Sequence, residues 1–452
     1  MEIESSPLFK EATAIMQGGQ STSNLGWEAI IHYGTNETYV SFQVISVNRV
    51  RNYLLAFTDE ISITLQMPLG VYARLIYPNR LTLQITLTRV PLKEIGSTTD
   101  SNAKIQSERF SAVLIDGERS PTIGQGVESN DQTALDLTQV ADINFQLYDK
   151  ALEQIRVMQT GGICRSTTVQ NALVTTLSNH AKSAVVDGNR AINGVDMVEA
   201  DNKDQKGAIV ITQGTRVIDL ADFMQSRIGI YNSGIGSYIQ NKYWYIYPLF
   251  DTTEFNKRDK SLTIMVLPKR KFSNIERTFK IKGSSVTILI TGETGFKDDS
   301  GTQYLNHGNG VRFADAATLL EMPGNTSSNK TSILRDKNNS EFVAGAAIAG
   351  VNNAPVNANR ITANPFTIFS SLAARNGGMF KCTWENSDSS LIIPGMVTKI
   401  IYVDGDEIKS VYGVMLAVTE ISHKASGIGT TKFVNNTFLS IFVNSQVTKI
   451  TT

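Results

Sequence analysis

Twice between Ile61 and Val90 the chain alternates apolar and polar residues, and no other feature restricts its fold so strongly. Ile61, Ile63, Leu65 and Met67 share one phase. Leu81, Leu83, Ile85 and Leu87 repeat it against Thr82, Gln84, Thr86 and Thr88. Successive side chains leave a strand on opposite sides, so a period of two predicts strands with one buried face. Residues 40–47, 110–115 and 143–147 add further strands, while Pro68-Leu69-Gly70 and Tyr77-Pro78-Asn79-Arg80 read as turns. Short alternating strands separated by turns predict a barrel or sandwich from residue 27 to about 148.

A second constraint lies at residues 243–250, YWYIYPLF. Tyr243, Tyr245 and Tyr247 fall on one face of an extended segment, with Trp244, Ile246 and Pro248 on the other. Aromatic and β-branched residues suit a half-buried pleated surface, and Pro248 ends the pairing because it has no N–H to donate. A polar connector, 251–261, leads to the apolar run 262–267, which Pro268 and the triplet Lys269, Arg270, Lys271 close.

Elsewhere the period changes. Leu152, Ile155 and Arg156 have helical spacing, which Gly161-Gly162 interrupts. Ser166 is read as the N-cap of a helix over 167–181 with Val169, Ala172, Leu173, Thr176 and Leu177 inward. Residues 182–206 read as loop, and 217–224 as helix. Residues 281–290 are strand-like, whereas 292–364 are poor in aromatics and read as loop packed onto something else. Asn364 as N-cap, Pro365 in the first turn and Gly377 past the end define a helix whose stripe is Phe366, Phe369, Leu372 and Ala373. Strands return over 378–384, 397–404, 411–423 and 433–445. At the other end, 1–26 reads as an arm with a short helix at 11–16, a Gly/Gln/Ser/Thr/Asn linker and a need for a neighbour to order against.

At 452 residues the chain is long enough for several domains, and 42 basic residues balance 42 acidic ones. A neutral chain lacks the basic excess of a nucleic-acid binder. The local exception is 257–282, with nine Lys or Arg against two acids. Its functional readings are contact with DNA or with an acidic partner; the alternative is a solvated rim. The acidic N-terminus is no signal peptide, and no apolar run has the length of a membrane helix. His32, His180, His307 and His423 show no zinc spacing, and Cys164 and Cys382 read as free thiols. Cys164 lacks a cysteine-peptidase signature, and Asp404-Gly405-Asp406 reads as a hairpin turn, not a calcium loop. No catalytic, metal or cofactor residue emerges. The interface candidates are Tyr243, Tyr245, Tyr247, Lys257, Arg258, Lys269, Arg270 and Lys271.

Three stretches carry a resemblance. The tyrosine-rich WYIYPLF strand with its polar loop and basic-ended strand, ISITLQMPLGVYARLIYPNRLTLQITLTRVPL at 61–92, and WENSDSSLIIPGMVTKIIYVDGD with SVYGVMLAVTEISH at 384–423 resemble the tail hub proteins of contractile-tailed bacteriophages. The resemblance implies an α+β, mainly β fold: two tail-tube-like antiparallel β-barrels with an inserted, bracing α+β region. The implied division is an arm at 1–26, a first barrel at 27–148 and a bracing domain at 149–255. Strands at 256–295 belong to either the second barrel or the bracing domain. A loop-rich insertion follows at 296–379 with its helix at 365–376, then a second barrel at 380–452.

The implied function is that of a structural virion protein, a trimeric baseplate hub. It would join the sixfold tail tube to the threefold central spike and anchor surrounding baseplate proteins (wedge, sheath or tube initiators). The implied partners are two further copies, the tail tube protein, the spike and the tape measure protein, and DNA passes through the lumen without specific binding. The implied location is the virion tail, assembled in the host cytoplasm, with no membrane insertion. The alternatives are a tail-associated cell-wall hydrolase and a receptor- or glycan-binding appendage.

Overall fold

The computed structural model describes residues 7–17, 24–92 (without 36, 41 and 42), 106–115, 140–268 (without 187, 188 and 191), 277–297, 377–404, 407–425 and 433–444, with short pieces of 312–374 and residues 448–449. It is mainly β. Sixteen strands join one branched sheet that passes through two lobes, each with its own apolar core.

In the first lobe the strands run Gln43–Asn52, Glu60–Pro68, Val140–Tyr148, Gln106–Leu114, Gln84–Leu92, Asn24–Tyr33 and Glu37–Val40. All the pairings are antiparallel. The predicted phase holds: Ile61, Ile63, Leu65 and Met67 are buried and meet Ile85, Leu87, Ile143, Phe145 and Leu147 in one core. Leu81 departs from it and is 90% exposed. It sits in a turn, closed by Thr82 N–H donating to the Asn79 carbonyl, and the strand begins only at Gln84. Between these strands, 69–79 is helical in three consecutive pieces and not a pair of turns. Leu69, Tyr72 and Ile76 share a face and plug the core, which outweighs the local turn preference.

The second lobe orders Phe279–Lys282, Ser285–Ile290, Ser261–Val266, Val397–Asp404, Glu407–Lys424, Phe433–Asn444, Gly377–Glu385 and Thr294–Lys297. Strands 261–266 and 285–290, and 261–266 and 397–404, pair in parallel. Among the described residues no ladder closes either lobe into a barrel.

The strand Glu407–Lys424 belongs to both lobes. Along one edge it pairs first with Val397–Asp404, over residues 407–414, and then with Gln43–Asn52, over 417–423. Along the other edge Phe433–Asn444 accompanies it through the transition. The register shifts between Met415 and Ala417, leaving Leu416 as the extra residue. Its carbonyl accepts from Tyr53 N–H at 2.9 Å, so the bulge stays satisfied. A bulge bends and twists its strand, which helps one strand serve both lobes.

The region from 149 packs three helices, Lys150–Val157, Val169–Ser183 and Leu220–Arg227, on a small sheet. That sheet orders Gly194–Met197, Tyr243–Pro248, Ile235–Gln240. Thr168, not Ser166, caps the second helix, its Oγ1 accepting from Asn171 N–H. The shift arises because 159–168 is a strand, glycines included, paired with Gln205–Arg216. The aromatic strand is central. Trp244 and Ile246 face the helices, while Tyr245 and Tyr247 face the second lobe's core.

The helix Pro7–Gln17 docks on the chain's own second lobe, with Ala12 and Ile15 against Met265, Leu267 and Leu289. Asn364 caps as expected, accepting from Phe366 N–H, and also donates to the carbonyls of Gln225 and Ser226. Phe369 and Leu372 lie outside the described residues. Of 296–379 the structure describes mainly short paired strands, Arg312–Asp315 with Glu341–Val343 and Asn353–Pro355, and Thr326–Ser328 with Thr331–Ile333.

Candidate functional site

Where the long strand enters the first lobe, charges are buried. Arg49 and Arg51 alternate on the inward phase of Gln43–Asn52, and Glu420 lies on the inward phase opposite Arg49. Arg51 and Glu420 are each 1% exposed, and Arg89 is buried with them. Arg51 Nε donates to Asp59 Oδ2 at 3.0 Å, and its Nη1 donates to both the carbonyl and Oγ of Ser389 at 3.1 Å. Ser389 Oγ in turn donates to Glu420 Oε2. Arg89 Nη1 reaches Asp388 Oδ1 at 2.6 Å and its Nη2 lies 3.6 Å from Glu420 Oε1. Arg49 stands 3.8 Å from Asp59 and 3.6 Å from Glu108 at the rim. The Arg49 and Arg89 guanidiniums also approach the Trp27 ring at 5.9 and 5.6 Å.

The middle region joins the same junction. Tyr238 donates to Asp59 Oδ1 and Tyr53 donates to Gln240 Oε1, both at 3.0 Å. Gln240 Nε2 donates to the Ile392 carbonyl at 2.8 Å, and Tyr247 donates to the Tyr53 carbonyl at 3.1 Å. Burial opposes the Glu420 charge, but Arg89, Arg51, Arg49 and the Ser389 hydroxyl outweigh it and hold its pKa below the usual carboxylate range. Burial pushes the Tyr53 and Tyr238 phenols up, so they remain donors. Buried ion pairs contribute little net stability because desolvation offsets the attraction, but losing one partner strands the other. The junction therefore fixes geometry: any sliding of one part past another unpairs a buried charge.

The opposite side of the junction is a surface. The outward residues of the three central strands are Ser46, Asn48, Val50 and Asn52; Ser62, Thr64 and Gln66; Ala417, Thr419 and Ile421. Glu60, in phase with Ser62 and opposite Val50, adds one exposed acid; the others are uncharged and partly exposed, and no Lys or Arg is among them. Ser46 Oγ donates to Thr64 Oγ1 at 3.1 Å, and Thr64 to Asn144 Oδ1 at 2.8 Å, a polar ladder across three strands. Asn436, Phe438 and Ser440 continue the face into the second lobe.

Of the interface candidates, Tyr247 is inside the second core and Tyr245 at its border, whereas Tyr243 is exposed beside Tyr245 with ring centres 6.5 Å apart. Lys257 donates to Glu254 Oε1 at 2.6 Å, and Arg258, 3.9 Å from Glu254, is largely buried, which pushes its pKa down. Lys269, Arg270 and Lys271 lie outside the described residues. The structure brings Lys257 and Arg258 together on Glu254. Sequence reading missed Arg49, Arg51, Arg89 and Glu420. The signal was present, because each falls on the apolar phase of an alternating strand.

A cleft of about 410 Å³ contains Glu199, Asp201, Asp251 and Glu254. Glu199 pairs with Lys203, Glu254 with Lys257, and Asp201 and Asp251 accept from the backbone N–H groups of Asn232 and Thr253. All four acids are thus committed within the chain. Among the described residues no three His, Cys, Asp or Glu side chains converge as metal ligands, and no helix is long and apolar enough to cross a membrane.

No family model matches the chain, and no curated protein matches it. Solved structures do. The chain is similar to the tail protein from Neisseria meningitidis MC58 at 8% identity and a TM-score of 0.45, covering 92% of this chain and 96% of that one. It is similar to the 43 kDa tail protein of prophage MuSo2 from Shewanella oneidensis at 11% identity and a TM-score of 0.44, covering 92% and 98%. It is also similar to an Escherichia coli component of the type VI secretion system, itself described as resembling T4 bacteriophage tail proteins, at 8% identity and a TM-score of 0.39, covering 92% and 77%. The chain thus resembles phage tail proteins.

Proposed function

We propose that the chain is a structural tail protein that works as a baseplate hub, three copies forming a ring of six barrel-like lobes. The observation that carries this reading is the strand Glu407–Lys424, which makes two β lobes one continuous sheet and is locked by the buried charges at its bend. A chain with two rigidly joined lobes offers two ring positions, so three chains offer six. Such a ring can meet a sixfold tube on one side and a threefold spike on the other.

The outward face over residues 46–52, 60–66 and 417–421, which carries no outward Lys or Arg, suits a lumen. It gives DNA phosphates no fixed cation to bind, so a strand can pass without being held. Under this reading the free outer strands pair between copies, which converts exposed edges into assembly contacts. Tyr243, Lys257 and Arg258, with Lys269, Arg270 and Lys271, are then candidate contacts for the tube, spike or peripheral baseplate proteins. Tyr245 and Tyr247 act from the interior, by fixing the region that presents Tyr243.

Mass in solution by light scattering, followed by particle imaging, tests the proposal. Three times the 49.5 kDa protomer mass, with six lobes around a central hole, is expected. A monomer at high concentration that also forms no ring when mixed with isolated tail tubes overturns it.

A further inference from the structure

The middle region carries a feature with no part in the ring: the two-stranded ribbon of Gln159–Thr168 and Gln205–Arg216. Its inner face is accounted for, because Ile209 and Ile211 are buried against the helices. Its outer face is not. Ile163 and Val210 stand directly opposite each other and are 59% and 62% exposed. Arg165, on the same face and opposite Ala208, is exposed and has no ion-pair partner among the described residues. The two strands hold Arg165, Lys206 and Arg216 and no acid. Lys206 and Arg216 are neutralised by Asp204 and Asp219 just beyond the strand ends, so Arg165 is the unmatched charge.

Each strand of the ribbon pairs only with the other, so among the described residues the far edge of Gln159–Thr168 is open. An open edge presents a row of N–H and C=O groups that a further strand can complete. Gly161 in that strand accommodates Gln213 of the neighbouring strand, whereas Gly162 has nothing within 4 Å of where a Cβ would stand and leaves room for another backbone.

We infer that Gln159–Thr168 is a docking edge for an extended segment of a partner protein. The segment adds as a third strand, with an apolar residue beside Ile163 and an acid beside Arg165. Cross-strand neighbours lie about 5 Å apart, close enough for both contacts. Arg165 is the unmatched charge on this face, so the partner segment is an acidic one.

The test uses the full chain and a fluorescein-labelled peptide with valine and glutamate alternating on one face and threonine on the other. Fluorescence anisotropy is expected to show saturable binding, weakened about fivefold when lysine replaces glutamate. Ile163→Asp with Val210→Asp should abolish binding while leaving the circular dichroism spectrum unchanged, since both side chains are exposed. Arg165→Glu should reverse the preference towards the lysine peptide, and a peptide N-methylated along its pairing edge should not bind. Equal binding of the two peptides, binding that survives N-methylation or the double substitution, or no binding by the parent overturns the proposal. So does a change in the chain's own mass on double substitution, which would identify the occupant as a second copy.

Discussion

Glu420→Gln removes one charge from the junction and almost none of its volume. In the parent, Arg49, Arg51 and Arg89 face Asp59, Asp388 and Glu420. In the variant Asp59 and Asp388, with Glu108 at the rim, face the three arginines, of which Arg51 and Arg89 are buried, and the amide still accepts from Ser389 but offers Arg89 an N–H₂ instead of a carboxylate oxygen. Stranding a buried charge costs about 3–5 kcal/mol, and because Arg89 keeps Asp388, Arg51 keeps Asp59 and the amide keeps Ser389, this case falls at or below about 3 kcal/mol. Urea unfolding reads the loss well, because Trp27, Trp244 and Trp384 report on the first lobe, the middle region and the second lobe respectively.

The expected pH dependence follows from the depressed Glu420 pKa. Its stabilising contribution is fully present above the unfolded value of about 4.3 and is lost as the pH falls through the lower folded value. The gap between parent and variant should therefore be widest near neutrality and close in acid. Replacing Glu420 by Leu and Arg89 by Met together should recover part of the loss, since an apolar pair strands less charge than a half-pair. A variant within about 1 kcal/mol of the parent at neutral pH, or a gap unchanged in acid, would refute the reasoning.

Four further outcomes are expected. Gly395→Ala should lower the melting temperature markedly, because Gly395 has φ +63° and an added Cβ would meet the Tyr247 ring at 2.1 Å; Tyr247→Phe, which only removes the bond to Tyr53, should cost about 1 kcal/mol in urea unfolding. Cys164, partly exposed on the ribbon, should react with maleimide in the native protein, while Cys382, buried and with its thiol pKa pushed up by burial, should react only on unfolding, as mass spectrometry would show. Ile15→Glu should release the N-terminal helix from Met265 and Leu289, read as fast hydrogen exchange over 7–17 with little change in the lobes.

Much of the local structure was legible because it depends on near neighbours. The alternation at 61–67 set which side chains point inward, and the Asn364 cap followed from the residues just after it. Failures occurred where a competing contact overrode the sequence pattern, a near one at Leu81 and distant ones elsewhere. Thr82 and Asn79 hold Leu81 in a turn despite its place in the alternation. The pairing with 205–216 draws Gly161 and Gly162 into a strand, and packing into the lobe makes 69–79 helical.

The sequence by itself determined the phase of the strand at 61–67 and the aromatic strand, since a period of two acts within a few residues. Only the tertiary structure decided what each face meets. Trp244 and Tyr247, three residues apart, enter different cores. Arg51 binds Ser389 across 338 residues. Strand 407–424 takes one edge partner from each lobe. The inward arginines read locally as misplaced charges; folding adds Asp388 and Glu420 from the far end of the chain to the nearby Asp59. The backbone hydrogen bonds that join strands are alike at every residue, so pairing is selected by how whole faces pack and not by any short motif.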